Sequence, residues 1–479
     1  MERSVEPSYV SGEVKAPPSK SMTQRAIAAA ILADGQSLIL NPSYCDDSLA
    51  AMSIALSLGA RVEPEADRMK ITGSGELKEK KLNCGESGLA IRLFSPIAAL
   101  YDAEIIMTGA GSLKKRPMNM IGDALNQLGV ECASTGGFLP LTIRGPLKGG
   151  NCETDGSVSS QLLTGLLMSL PLCNEASTIK VNNLKSKPYI DMTLEVLRDF
   201  GIKISNKDYE LFDVPGRQKY LPLTYEVESD WSGGSFLLVA GAINGDLKVT
   251  GLRTNSFQSD MGILKALEMA GAKMKISDNM IEISKSDLKA FVFDATESPD
   301  LFPPLVALAS YCKGVTKLKG ASRLVHKESD RASALSEEFG KMNIKVDMKD
   351  DYLIVTGGKV KGARVNSHDD HRIAMAAAVA AIGASDTVFI IIVLPTLKIR
   401  EPICPFPEPV VAPVITHESD DPGQLSENTW SGILTIALHR PGVLLTIILF
   451  GQVIWGSRLS ITVIVNEQLA VNPTASVIV

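Results

Sequence analysis

Apolar and polar positions along the chain fall into a repeating pattern. Five segments carry apolar residues at helical spacing, then a stop, then a short run that predicts a strand. They are MSIALSLGARV, MIGDALNQLGVEC, TLEVLRDFGIKI, LKALEMAGAKM and SEEFGKMNIKV. The stops are Gly59, Gly129, Gly201, Gly271 and Asn343, spaced 70, 72, 70 and 72 residues apart. Glycine or asparagine suits such a place, because the residue after the last helical turn commonly turns left-handed. Four near-equal intervals mark an internal repeat. Each period also predicts a second, more apolar helix. These begin near SKSMTQRAIAAAILA, ESGLAIRLFSPIAAL, SSQLLTGLLMSLPL, SGGSFLLVAGAI, PDLFPPLVALASY and DDHRIAMAAAVAAIG. Small and apolar residues surround most of each, which predicts burial at domain centres. Six helices of one kind and five of the other leave room for a sixth Gly-stopped helix near residues 395–415. The sequence there shows none.

Strands and helices alternating in a unit of ~70 residues predict α/β or α+β layering, and six units fit two domains of three. SGEVKAPPSKS and EVESDWSGG are the expected crossovers. The expected division is residues 1–18 with 229–394, then 19–228, then a divergent tail over 395–479. Bulk properties narrow the function. A net charge of −6 and an aromatic content of 5% argue against a nucleic-acid surface or a base-stacking platform. The seven cysteines are scattered and lack CxxC spacing, which argues against a disulfide framework or a zinc site. Met1 to Ser19 has neither an apolar signal core nor an Arg-rich leader, so a cytoplasmic protein is expected. The apolar run Val443–Trp455 falls short of the ~20 residues a membrane span takes.

The unusual polar residues gather at helix starts. Lys20, Ser21 and Arg25 follow Pro17-Pro18; Ser87, Gly88 and Arg92 open the second apolar helix. Asp155, Ser157, Ser159, Ser160 and Gln161 open the third, Asp300 the fifth, and Asp369, Asp370, His371 and Arg372 the sixth. Lys114, Lys115 and Arg116, then Lys185, Ser186 and Lys187, then Lys327, Glu328, Asp330 and Arg331 belong to the Gly-stopped helices. Helix N-termini present free N–H groups and attract anions. Cations placed there oppose the helix dipole, so their repetition points to anion binding rather than helix stability. Each motif alone has a plainer reading. SKSMTQR can be a Ser-capped helix, KESDR an i,i+3 ion-pair run, and DDHR a capping cluster. Their recurrence at one place in a repeat favours a ligand with several phosphate or carboxylate groups.

The ordered set PPSKSMTQRA, SGLAIR, KKRPM, DGSVSSQLLTGLLM, SKPYIDMT, ESPDLFPPL, HKESDR and DDHRIAM resembles the 5-enolpyruvylshikimate-3-phosphate synthase family, from about residue 10 to about residue 385. The resemblance implies a two-domain inside-out α/β barrel, each domain built of three βαβαββ units around buried helices. It implies transfer of the enolpyruvyl group of phosphoenolpyruvate to the 5-hydroxyl of shikimate 3-phosphate, through a tetrahedral intermediate. Lys20 would touch both substrates. Ser21, Arg25, Ser159, Ser160, Gln161, Ser186, Asp300 and Lys327 would bind shikimate 3-phosphate. Gly88, Arg92, Arg116, Gln161, Arg331 and Arg372 would surround phosphoenolpyruvate. The proton transfers would fall to Asp300, Glu328, Lys327 and Lys20, with His371 beside them. The reaction calls for no metal or organic cofactor, and the expected partners are the two small substrates, with no nucleic acid and no membrane. A monomer is expected.

Two departures stand out. Glu86-Ser87-Gly88-Leu89 replaces the family's common Asn-Ala-Gly-Thr run, and His326 stands where valine is common. More extensively, the family continues into a Lys-Ser-Tyr-Pro motif whose lysine contacts phosphoenolpyruvate. Here the chain reads FIIIVLPTLKIREPICPFPEPVV, with Lys398 near the expected spacing but in other company. A reading-frame change or an added segment would each produce such a tail. The rival functions are the enolpyruvyl transferase acting on UDP-N-acetylglucosamine, which typically carries a reactive cysteine, and an impaired anion-binding relative.

Overall fold

A computed structural model of the chain describes residues 2–73, 75–157, 159–325 and 327–391, with the backbone of 446–448 and 462–464. The expected sixth Gly-stopped helix, Lys398 and His326 lie outside the described residues. Eleven α-helices occur among them: α1 (Lys20–Leu32), α2 (Asp46–Ser57), α3 (Gly88–Ala98), α4 (Asn119–Gln127), α5 (Gln161–Ser169), α6 (Lys187–Asp199), α7 (Trp231–Asn244), α8 (Ile263–Ala270), α9 (Phe302–Ser310), α10 (Arg331–Lys341) and α11 (His371–Ala381). The odd-numbered helices are the six apolar ones. All of α9, and α7 from Trp231 to Ile243, is buried. The even-numbered helices are the five Gly-stopped ones.

Those five helices end alike. Gly59, Gly129, Gly201, Gly271 and Asn343 have φ of 101°, 77°, 86°, 82° and 66°. The next N–H reaches back to the carbonyl five residues earlier each time: Ala60 to Ala55, Val130 to Leu125, Ile202 to Leu197, Ala272 to Leu267 and Ile344 to Phe339. This is the Schellman ending, in which a left-handed residue lets the chain satisfy otherwise unpaired carbonyls. The apolar residue that follows packs into or against the core, and the next strand begins one to three residues later.

The chain divides into two compact units, residues 18–228 with 257–259, and residues 1–17, 229–256 and from 260 onward. Each has its own hydrophobic core. Sheets follow one plan: a parallel pair, then an antiparallel hairpin. In the sheet around Glu104–Thr108, Lys81–Asn83 pairs parallel on one side, Phe138–Arg144 antiparallel on the other, and Glu131–Thr135 completes the hairpin. The first unit closes on itself, because Thr224–Glu226 pairs with Gln36–Leu40. In the second unit Val10–Lys15 pairs with Gly245–Thr250. There the N-terminal strand Glu2–Val5 lies antiparallel to Val388–Ile391, the position a hairpin strand fills in the other sheets. The result is a mixed α/β fold with buried central helices, in which every odd-numbered helix follows a parallel strand in the chain.

Candidate active site

Each unit gathers one set of the predicted polar residues. In the first unit the set is cationic. Arg25, on α1, is 1% exposed. Its Nε donates to Thr193 Oγ1 at 2.9 Å, and its Nη atoms donate to the carbonyls of Ser21 and Tyr189 at 2.9 and 3.1 Å. Thr164 Oγ1 stands 3.5 Å from Nη2. No carboxylate is among these partners, and burial lowers the Arg25 pKa to about 10. Arg92, on α3, is likewise buried. Its Nη1 donates to Gly88 O and Gln161 Oε1, both at 3.1 Å, and burial with the neighbouring Arg116 charge lowers it to about 10. Arg116 donates to Ser112 Oγ at 3.1 Å. The Nε atoms of Arg92 and Arg116 are buried without a hydrogen-bond partner. Guanidiniums taken from water without a counter-charge are costly, so this is an arrangement suited to a polyanionic ligand.

Local packing brings these groups together. Gly165 lets α5 approach α3 closely; a Cβ there would lie 2.5 Å from the Arg92 carbonyl. That approach puts Gln161, the first residue of α5, against Arg92. A Cβ on Gly88 would stand 2.6 Å from Arg116 Nη1 and 3.0 Å from Arg92 Nη1. Ser87 caps α3 by accepting from Ala90 N and also donates to Gln24 Oε1. Lys20 pairs with Asp47 at 3.1 Å. Ser159 Oγ accepts from the Gln161 N–H, Ser160 is buried, and Ser186 holds a left-handed φ of 59° just before α6. Asp155 serves the turn instead, accepting from Ser157 N and Asn183 Nδ2. Lys114, Lys115, Lys185 and Lys187 are exposed.

In the second unit the set is charge-balanced. Arg331 has no exposed side-chain surface. It donates from Nη1 to Asp300 Oδ1 at 2.8 Å, from Nε to Asp370 Oδ2 at 2.7 Å, and from Nη2 to Glu328 Oε2. Arg372 Nη2 donates to Asp300 Oδ2 at 3.0 Å and Lys327 Nζ to Asp300 Oδ1 at 3.1 Å. Burial pushes the Asp300 carboxyl up, but Arg372, Lys327 and Arg331 outweigh it and hold Asp300 well below the usual carboxylate range. Burial lowers the Lys327 pKa against the pull of Asp300. Asp370 caps α11 through the Arg372 N–H and also accepts from Ser329 Oγ. His371 is the half-buried first residue of α11. Asp370, visible in the sequence only as part of DDHR, is the hub of this network. Asp260, not among the sequence-predicted residues, is a buried carboxyl that burial and the charge of Asp300 push up to about 7. A lone aspartate in SFQSDMG carries no signal of that kind.

A sequence profile described as EPSP synthase (3-phosphoshikimate 1-carboxyvinyltransferase) matches residues 5–394. The chain belongs to this family. It is 37% identical over 406 residues to a 3-phosphoshikimate 1-carboxyvinyltransferase of Clostridium perfringens, covering 84% of this chain and 94% of that protein. It is 39% identical over 379 residues to the enzyme of the same name from Clostridium kluyveri, covering 78% and 89%. The solved EPSP synthase of Acinetobacter baumannii superposes with a TM-score of 0.70 at 27% identity, over 81% of this chain and 93% of that one. The six cysteines among the described residues are all buried, and burial raises the Cys45 and Cys84 thiols, so none has the environment of a reactive thiolate. No helix among the described residues is long and apolar enough to cross a membrane.

Proposed function

We propose that the cationic set of the first unit and the balanced set of the second serve the reaction of the family. That reaction transfers the enolpyruvyl group of phosphoenolpyruvate to the 5-hydroxyl of shikimate 3-phosphate and releases phosphate. Arg25, with Lys20, Ser21, Ser159, Ser160 and Ser186, binds shikimate 3-phosphate. Its phosphate supplies the counter-charge that Arg25 lacks. Gln161 lies beside the ring. Arg92 and Arg116 of the first unit, kept open by Gly88, and Arg331 and Arg372 of the second are the proposed phosphoenolpyruvate ligands.

Chemistry assigns the rest. The phosphoenolpyruvate methylene carbon takes a proton, C2 gains cationic character, and the 5-hydroxyl loses its proton as its oxygen attacks C2. The tetrahedral adduct then loses phosphate and a methyl proton. Asp300 is the base for the 5-hydroxyl; Glu328, with Lys327 or Lys20, handles the carbon and phosphate steps. With three cations on it, Asp300 is a weak base. Ligand phosphate or carboxylate on Arg372 and Lys327 shares their charge and raises the basicity of Asp300 when substrate is present. The single observation that supports this reading best is Asp300 held by Lys327, Arg331 and Arg372 together.

A coupled phosphate-release assay tests it. Turnover with shikimate 3-phosphate and phosphoenolpyruvate is expected. Turnover only with UDP-N-acetylglucosamine would reject the assignment, and binding without turnover would support the impaired relative.

A further inference from the structure

Two turns along α10 from Arg331, a second buried charge grips the stretch that leads into α11. Glu338 has no exposed side-chain surface. Its Oε2 accepts the backbone N–H of Asn366 at 2.9 Å, and its Oε1 stands 2.5 Å from His368 Nε2. Lys341 Nζ lies 2.9 Å from both oxygens and 2.8 Å from Glu337 Oε1. Asn366 Oδ1 in turn accepts the His368 N–H at 2.7 Å.

Residues seven apart on a helix share a face, so one face of α10 holds residues 366–370 at two points. Glu338 holds Asn366 and His368, and Arg331 holds Asp370. In this stretch His368 and Asp369 have φ of 53° and 57°. Side-chain-bearing residues rarely take this left-handed conformation and keep it where their surroundings enforce it. Immediately beyond come Asp370, His371 and Arg372. Glu338 touches none of the groups assigned to substrate, so any effect it has on them passes through the turn.

We propose that Glu338, through His368 and Asn366, is a positioning residue: it holds the left-handed turn that aims Asp370 at Arg331 and Arg372 at Asp300. The inference rests on the functional reading above for its kinetic consequence, and on the fold alone for its structural one.

Two variants of the full chain test it. Glu338→Gln keeps an acceptor for Asn366 but loses the charge facing Lys341 and His368. His368→Asn keeps a residue that tolerates left-handed backbone but is too short to reach Glu338. Amide hydrogen exchange is followed in a peptide covering 366–372, with Gln36–Leu40 as internal reference. Exchange in 366–372 is expected to quicken on the order of tenfold in both variants while the reference stays unchanged. The KM for phosphoenolpyruvate is expected to rise on the order of tenfold with that for shikimate 3-phosphate unmoved. Unchanged exchange in 366–372 would overturn the proposal. So would equal acceleration of both peptides with both KM values unmoved, which marks a merely structural role. Exchange needs no turnover, so a chain that lacks turnover would count against the functional reading and leave this test decisive.

Discussion

Arg331 donates through Nε to Asp370 Oδ2 at 2.7 Å, and neither side chain has any exposed surface. The pair is worth more as organisation than as attraction. Removing one member of a buried ion pair strands the other in a medium that cannot solvate it. Asp370 is also the cap of α11, so the same carboxylate orients Arg331 and fixes the helix that carries Arg372. Asp370→Asn keeps the cap, because asparagine caps well, but removes the charge. It is expected to lose about 3 kcal/mol of stability by urea denaturation. Phosphoenolpyruvate KM should rise while that for shikimate 3-phosphate holds. A variant as stable as the parent would contradict this account.

Gly88→Ala tests the cationic set from the opposite direction, by adding one methyl. That methyl would lie 2.6 Å from Arg116 Nη1. The displaced atom ends a flexible side chain, so the fold adapts cheaply while the guanidinium leaves its place. Stability should change by less than about 0.5 kcal/mol. The phosphoenolpyruvate KM should rise on the order of tenfold or more. A large fall in melting temperature would instead mean that the Gly88 backbone is the constraint.

Much of this is legible in the sequence, for a physical reason. The five stops announced themselves because a left-handed helix end restricts residue choice to glycine and asparagine, and each recurs with an apolar residue after it. The buried helices were legible because a helix packed on all sides has no polar face. Charged residues at helix starts were visible as departures from dipole preference. What could not be read were relationships across the chain. Arg25 depends on Thr164 and Thr193, well over a hundred residues away. Glu338 reads as an ordinary surface-helix acid until α10 is placed against residues 366–368. The likeness of KESDR to a simple ion-pair run was half right: Glu328 does pair with Arg331, but the same guanidinium also holds Asp300 and Asp370.

Arg25→Met separates binding from folding. The side chain it replaces is a buried cation whose hydrogen-bond partners are all neutral, so its removal relieves desolvation while losing those bonds. Stability should stay within about 1 kcal/mol, and turnover should fall on the order of a hundredfold. Inorganic phosphate sharpens the comparison. It should raise the melting temperature of the parent and do so less in the variant, because a ligand stabilises only the state that binds it. Equal phosphate stabilisation of both would place the phosphate elsewhere.

Asp260 makes a pH prediction with a definite sign. Its carboxyl is pushed up to about 7 by burial first and by Asp300 second, against about 3.9 when unfolded. Between those values the folded chain holds a proton that the unfolded chain has released. Stability from this group therefore falls as pH rises from about 4 and levels off above about 7. Asp260→Asn fixes the neutral form. The variant should match the parent near pH 4 and exceed it at pH 8 by on the order of 4 kcal/mol. Denaturation curves at the two pH values check this; a constant difference would show that Asp260 is not the titrating group.

The C-terminal segment is expected to limit the rate of the transferase. The family match ends at residue 394, and the Lys-Ser-Tyr-Pro motif that the resemblance implies does not follow. A cation missing from the phosphoenolpyruvate set removes charge stabilisation from the departing phosphate. Such a loss usually costs a factor of roughly a hundred or more in kcat. Replacing residues 395–479 with a family segment carrying Lys-Ser-Tyr-Pro should therefore raise kcat by about that factor. The KM for shikimate 3-phosphate should move little, since its assigned ligands lie upstream. Sequencing the locus and translating all three frames after residue 385 is the companion measurement. A Lys-Ser-Tyr-Pro-like continuation in another frame would trace the segment to a frame change, and its absence from all frames would make it an added segment. If the graft leaves kcat unchanged, the lysine is not what limits this chain.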